Sequence, residues 1–210
     1  MTLQSATPHD DNTSANILQA QAFAKGGQLI NAVALLTQVI ADIDRRKADR
    51  QAGSNQDDDA ADEPLTSALL LRGQTLLKMG DATTAGNDAD RILGQHADHT
   101  EALMLKARSL TLLHREKEAE ECFSHVLRLQ NENVDALRER GRLRLALGDK
   151  NGAEADAKAL LAINPEAASE VNGSFQAKGT EQIPYGAMRA PFRARVSSPD
   201  DSKASSKSGK

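Results

Sequence analysis

Apolar and polar residues recur along the chain with the spacing of short amphipathic helices arranged in pairs. In the stretch 101–113 the apolar side chains are spaced at i, i+4 and i+7, and the stretch 116–129 repeats this spacing. The apolar positions of the first stretch are Leu103, Ala107 and Leu110. A short turn, His114-Arg115, separates the two stretches. Helices of about 13 residues are marginally stable in isolation, so each predicted pair must pack on its neighbours.

The predicted helix pair recurs with a period of 34 residues. Units at 66–99, 100–133 and 134–167 align without a gap, and a weaker copy covers 13–46. Position 8 of the four units is always small: Ala20, Gly73, Ala107 and Gly141. Position 20 is always alanine: Ala32, Ala85, Ala119 and Ala153. Small side chains at these positions let two helices approach closely, and a bulky side chain would separate them.

This period and these small residues resemble the tetratricopeptide repeat (TPR) family. The family pattern also has an aromatic residue at position 24 and proline at position 32. Here Phe123 is the one aromatic residue at position 24, and Pro165 is the one proline at position 32. The resemblance implies an all-α, TPR-type helix-turn-helix solenoid. Its antiparallel helix pairs would form a right-handed superhelix with a concave groove.

The segments outside the four units have different compositions. Residues 1–12 and the basic tail 179–210 are predicted to be disordered. The acidic segment 47–65 is predicted to be a mobile loop inserted between the first and second units. Residues 168–178 are predicted to form a helix that caps the last unit. The acidic front and the basic tail can attract each other, bind separate partners or simply remain solvated.

In the TPR family the first helix of each pair lines the groove. Carried over to this chain, the predicted peptide-binding residues are Leu70, Gln74, Met104, Arg108, Arg138 and Arg142. Such a surface suits a protein or peptide partner with apolar anchors and an acidic end. The alternative is that the arginines pair with Glu101, Asp135 and Glu139 and only solubilise the helices.

A second basic series occurs at position 7 of three units, at Arg72, Lys106 and Arg140. We interpret this series as structural, with stems packed at the seam between helices and charges reaching water.

The basic tail contains a possible docking motif in which apolar anchors alternate with arginines. The anchors are Tyr185, Met188 and Phe192. They can dock on the groove of this chain or of another protein, or the tail can be a plain linker. Arginines beside aromatic residues also permit RNA contact, but nucleic acid is not the expected partner.

The sequence contains no catalytic motif: it has no GxxxxGK[ST], GxSxG or HExxH. Cys122 is interpreted as a small packing residue and not as a nucleophile. His96 and His99 have metal-ligand spacing but no evident third ligand. We therefore expect no enzymatic activity, no cofactor and no metal.

The expected function is a non-catalytic protein-interaction module, such as an adaptor, an assembly factor or a co-chaperone. The alternative is a structural subunit of a larger complex, recruited through its C-terminal tail or its convex face. Cytoplasmic localisation and no membrane partner are expected. These expectations rest on the single cysteine, the short apolar runs and the lack of a secretory signal.

Overall fold

A computed structural model describes residues 8–53 and 62–163 of the 210-residue chain. The regular elements in these ranges are all helices. They are α1 (Pro8–Lys25), α2 (Leu29–Gly53), α3 (Asp62–Met79), α4 (Ala82–Leu93), α5 (Thr100–Leu112), α6 (Glu116–Leu129), α7 (Val134–Leu147) and α8 (Lys150–Ile163). The odd-numbered helices are the first helices of the four pairs, and the even-numbered helices are the second helices.

Two segments predicted to be irregular are partly helical. Helix α1 begins at Pro8, inside the segment 1–12 predicted to be disordered. Helix α2 continues to Gly53 and α3 begins at Asp62, so both ends of the predicted loop 47–65 are helical. The physical reason is that charged residues, alanine and glutamine are compatible with an exposed helix, so polarity did not mark the end of α2. The predicted capping helix 168–178 and the tail 179–210 lie outside the described residues.

The turn inside each helix pair contains a residue with positive φ at position 15. Gly27, Gly80 and Gly148 have φ values of 77°, 87° and 84°, and His114 has a φ of 58°. A left-handed residue reverses the chain just after a helix, and glycine adopts this conformation without a steric penalty. These are the four turns that the sequence indicated as equivalent.

Each helix packs on the helix before it and on the helix after it, which is the contact pattern of a solenoid. The first helices also pack side by side, α1 on α3 and α3 on α5. Within the described part of the chain, no two second helices pack as extensively on each other. The first helices are therefore the more closely spaced layer, as expected for the inner side of a curved stack.

The core is built from the small residues of the repeat pattern and from leucine. The alanines at positions 8 and 20 are fully buried: Ala20, Ala32, Ala85, Ala107, Ala119 and Ala153. One buried cluster extends from α1 to α5 and a second from α5 to α7, where Phe123 is the largest fully buried side chain. No helix in the described ranges has the length and apolar character needed to cross a membrane.

Candidate functional site

Side chains at position 9 project from the first helices at intervals of 34 residues. They are Gln21, Gln74, Arg108 and Arg142. Both glutamines are exposed, and the side chains of Arg108 and Arg142 are 41% and 40% exposed. We call the surface formed by these side chains and Arg138 the inner face. It brings together four of the six residues predicted to bind a peptide.

The other two predicted groove residues, Leu70 and Met104, are buried. Each is only 7% exposed, and each belongs to one of the two apolar clusters. The prediction that they line the groove as accessible apolar anchors is therefore wrong. The physical reason is the close packing of the first helices, because α3 packs on both α1 and α5 and covers apolar side chains between them.

Two carboxylates of α7 hold the arginines of the inner face. Asp135 pairs with Arg138 on its own helix and also with Arg108 of α5, whose Nη2 lies 3.8 Å from Asp135 Oδ2. Glu139 Oε1 lies 3.8 Å from Arg142 Nη1. The hypothesis that these arginines pair with Asp135 and Glu139 is confirmed. The pairs orient the guanidinium groups while at least a quarter of each arginine side chain stays exposed.

The partner predicted for Glu101 is not found, because Glu101 makes no ion pair within the described residues. Its carboxylate is exposed on the first turn of α5. It therefore adds negative charge at the helix start, where the helix dipole stabilises it.

The arginines at position 7 are bound to buried aspartates at position 23 of the same unit. Arg72 donates from Nε and Nη2 to Asp88 at 2.9 and 2.5 Å, and Arg140 binds Asp156 at 3.0 and 2.5 Å. The aspartate side chains are only 4% and 3% exposed. The prediction that these charges reach water is therefore wrong for both arginines, whose two-pronged pairs lie inside the stack.

Each of these arginines also reaches back to position 25 of the preceding unit. Arg72 Nη1 donates to Thr37 Oγ1 at 3.2 Å, and Arg140 Nη1 donates to Ser124 Oγ at 3.0 Å. The side chains at positions 7, 23 and 25 therefore tie neighbouring units together. The sequence analysis found position 7 but missed its partners, which a comparison of positions 23 and 25 across the units would have shown.

The third unit places its carboxylate on the other side of this seam. Cys122 stands at position 23, where the neighbouring units have aspartate, and Lys106 Nζ binds Asp90 Oδ1 at 2.6 Å. Asp90 is at position 25 of the preceding unit. Its hydrogen bond raises the pKa of Lys106. Burial raises the pKa of the Cys122 thiol, which agrees with a packing role for this cysteine.

The predicted metal ligands and the predicted tail motif have different outcomes. No group of three or more potential metal ligands occurs in the described part of the chain. His99 Nδ1 accepts a hydrogen bond from the Ala102 backbone at 3.4 Å and caps α5. The tail motif Tyr185, Met188 and Phe192 lies outside the described residues.

Paired helices, left-handed turns at position 15 and buried small residues at positions 8 and 20 together define an all-α solenoid of the TPR type. Solved structures share this fold. YrrB, described as a TPR protein with an unusual peptide-binding site, is 15% identical over 77% of this chain and 74% of its own, with a TM-score of 0.58. TTC0263, a thermophilic TPR protein from Thermus thermophilus, is 18% identical over 78% and 82%, with a TM-score of 0.58.

A third similar structure is MamA 41-end from Desulfovibrio magneticus RS-1. It is 13% identical over 73% of this chain and 76% of that chain, with a TM-score of 0.59. At these identities the similarity establishes the fold. No protein-family model and no curated protein matches the sequence.

Proposed function

We propose that this protein is a non-catalytic interaction module that binds an extended segment of a partner protein on its inner face. One observation carries the proposal: polar side chains with a 34-residue period stay exposed on the layer of first helices, where most other positions are buried. A preformed surface of this kind binds a segment without first having to order itself.

The chemistry of the inner face changes along the stack. The Gln74 amide can donate to and accept from the backbone of an extended peptide. Arg108 and Arg142 can bind a carboxylate in the two-pronged geometry that guanidinium favours. Asp135 and Glu139 already orient these arginines, so little rotamer entropy is lost when a partner binds. A partner with an acidic end placed toward α5 and α7 fits this surface best.

Apolar anchoring on this face must come from residues other than Leu70 and Met104. Leu112, at the end of α5, is an apolar side chain that is 52% exposed. It is at position 13 of its unit, one turn beyond Arg108. We therefore place the apolar contact of the partner beside Leu112.

Within this class, the role we propose is that of an adaptor, an assembly factor or a co-chaperone in the cytoplasm. The peptide-binding site of the similar TPR protein YrrB supports the proposal of peptide binding.

The proposal is tested by affinity capture and mass spectrometry with the full chain. The inner-face variant carries Arg108→Gln, Arg138→Gln and Arg142→Gln. A matched control carries Arg45→Gln, Arg115→Gln and Lys158→Gln, which remove the same charge from the second helices and their turns. Circular dichroism confirms that both variants keep their helical signal.

We expect the inner-face variant to lose its partners and the control variant to keep them. If both variants keep their partners and a chain that ends at residue 177 loses them, the inner face is not the binding site. The protein would then be a structural subunit recruited through its tail.

A further inference from the structure

The second helices meet at three successive outer seams, and a side-chain pair crosses the first two. At the α2–α4 seam, Arg91 of α4 pairs with Asp44 of α2. At the α4–α6 seam, His125 Nε2 of α6 lies 2.9 Å from Oδ1 of Asp98, in the turn after α4. Arg91 and His125 both stand at position 26 of their units, so the same position closes both seams.

The third outer seam, between α6 and α8, lacks this pair because position 26 is Ala159. A cavity of about 420 Å³ lies there. Its apolar lining comes from Leu127 of α6, Leu137 of α7, and Ala155 and Ala159 of α8. We call this cavity the notch.

The notch also contains a cationic side chain that has no counterpart in the other seams. Arg128, at position 29, lines it, whereas the preceding units have Ala41 and Gly94 at that position. Arg128 is exposed and makes no hydrogen bond or ion pair with any described residue. The other two arginines of the notch, Arg140 and Arg144, both bind Asp156.

We propose that the notch binds an acidic side chain of a partner protein, flanked by small apolar groups. The carboxylate would pair with Arg128 and accept a hydrogen bond from the Asn131 amide, which also lines the notch. The apolar groups would cover the leucine and alanine side chains, and the volume is in the range of small binding sites. This surface belongs to second helices, so it is separate from the inner face and does not depend on the function proposed there.

The test is a titration of the full chain followed by the methyl signals of Leu127, Leu137, Ala155 and Ala159 in NMR spectra. The probes are blocked tripeptides with central Glu or Asp, flanked by Ala, Val or Leu, and their Gln and Asn counterparts. We expect saturable shifts of these methyl signals with at least one acidic peptide. The counterpart with the neutral amide should bind at least tenfold more weakly.

Three variants separate the notch from nonspecific binding. Arg128→Gln should weaken the acidic peptide at least tenfold, and Lys117→Gln, which removes an exposed charge from the same helix, should not. The double variant Asn131→Asp/Ala159→Arg rebuilds the closing pair of the α2–α4 seam. It should abolish peptide binding with an unchanged or higher melting temperature, which excludes unfolding as the cause.

Three results would overturn the proposal. The first is no saturable shift with any acidic peptide, and the second is equal binding of acidic and neutral peptides. The third is binding that occurs only after residues 164–210 are removed, because the notch would then be covered by this chain itself and not by a partner.

Discussion

His114 has a left-handed backbone conformation at a turn where the other three units have glycine. A residue with a Cβ atom in this conformation costs about 1 kcal/mol relative to glycine. The His114 side chain is exposed, and its nearest charged group is Glu116, 3.7 Å away. No buried contact offsets the backbone cost, so this turn is the weakest of the four.

The first prediction is that His114→Gly stabilises the protein by up to about 1 kcal/mol. The gain is limited because glycine also has more conformational freedom in the unfolded chain. Urea unfolding measures the change. His114→Ala is the control, and it should give no gain because alanine keeps the Cβ atom. An equal gain in both variants would show that the histidine side chain, and not the backbone, is unfavourable.

Position 8 shows that equivalent residues of a repeat need not tolerate the same change. A Cβ atom on Gly73 would overlap the Leu105 side chain, which is buried in the core. A Cβ atom on Gly141 would lie 3.5 Å from Asp156 Cβ, an ordinary contact. The difference arises from what the next unit presents to each glycine.

The second prediction concerns these two glycines. Gly141→Ala should stabilise the protein by about 0.5–1 kcal/mol, because alanine is the better helix former. Gly73→Ala should destabilise it by about 1–3 kcal/mol, because Leu105 must leave its rotamer in a packed core. Thermal or urea unfolding of both variants tests this. Changes of the same sign would mean that Leu105 moves aside freely and that the core there is loosely packed.

At the scale of helices, the seams are joined by ionic groups that are mostly paired across units. Arg144 shows this most clearly, because it stands at position 11, where the earlier units have Phe23, Leu76 and Leu110. Its Nε donates to Glu120 Oε1 of α6 at 2.7 Å, and its Nη1 donates to Asp156 Oδ2 of α8 at 3.0 Å. An arginine in an apolar column therefore links three helices.

The third prediction tests the exchanged carboxylate of the third unit. Asp90→Ser should destabilise the protein by about 0.5–1 kcal/mol, since the Lys106 pair is partly exposed. Adding Cys122→Asp should recover at least half of that loss, because a carboxylate then stands where Asp88 and Asp156 stand in the other units. Urea unfolding of the single and double variants measures the recovery.

The control for this prediction is Asp90→Ser with Cys122→Asn, which has the same shape without the charge. It should recover nothing. Recovery with asparagine as well would mean that Lys106 is stabilised by packing and not by its carboxylate partner.

At the scale of the whole molecule, repetition determined what the sequence could predict. Helix pairs, left-handed turns and the exposed residues at position 9 were predictable because each recurs every 34 residues. The burial of Leu70 and Met104 was not, since it depends on how closely the first helices pack. The partners of Arg144 were not predictable either, because they come from two other helices and occur in one unit only.

The central claim is that the layer of first helices is the binding surface. It is tested most directly by NMR cross-saturation from a bound partner segment to the backbone amides of the full chain. We predict that the affected amides lie on α3, α5 and α7, centred on Gln74, Arg108 and Arg142. Saturation confined to α4, α6 and α8, or to residues after 163, would contradict the claim.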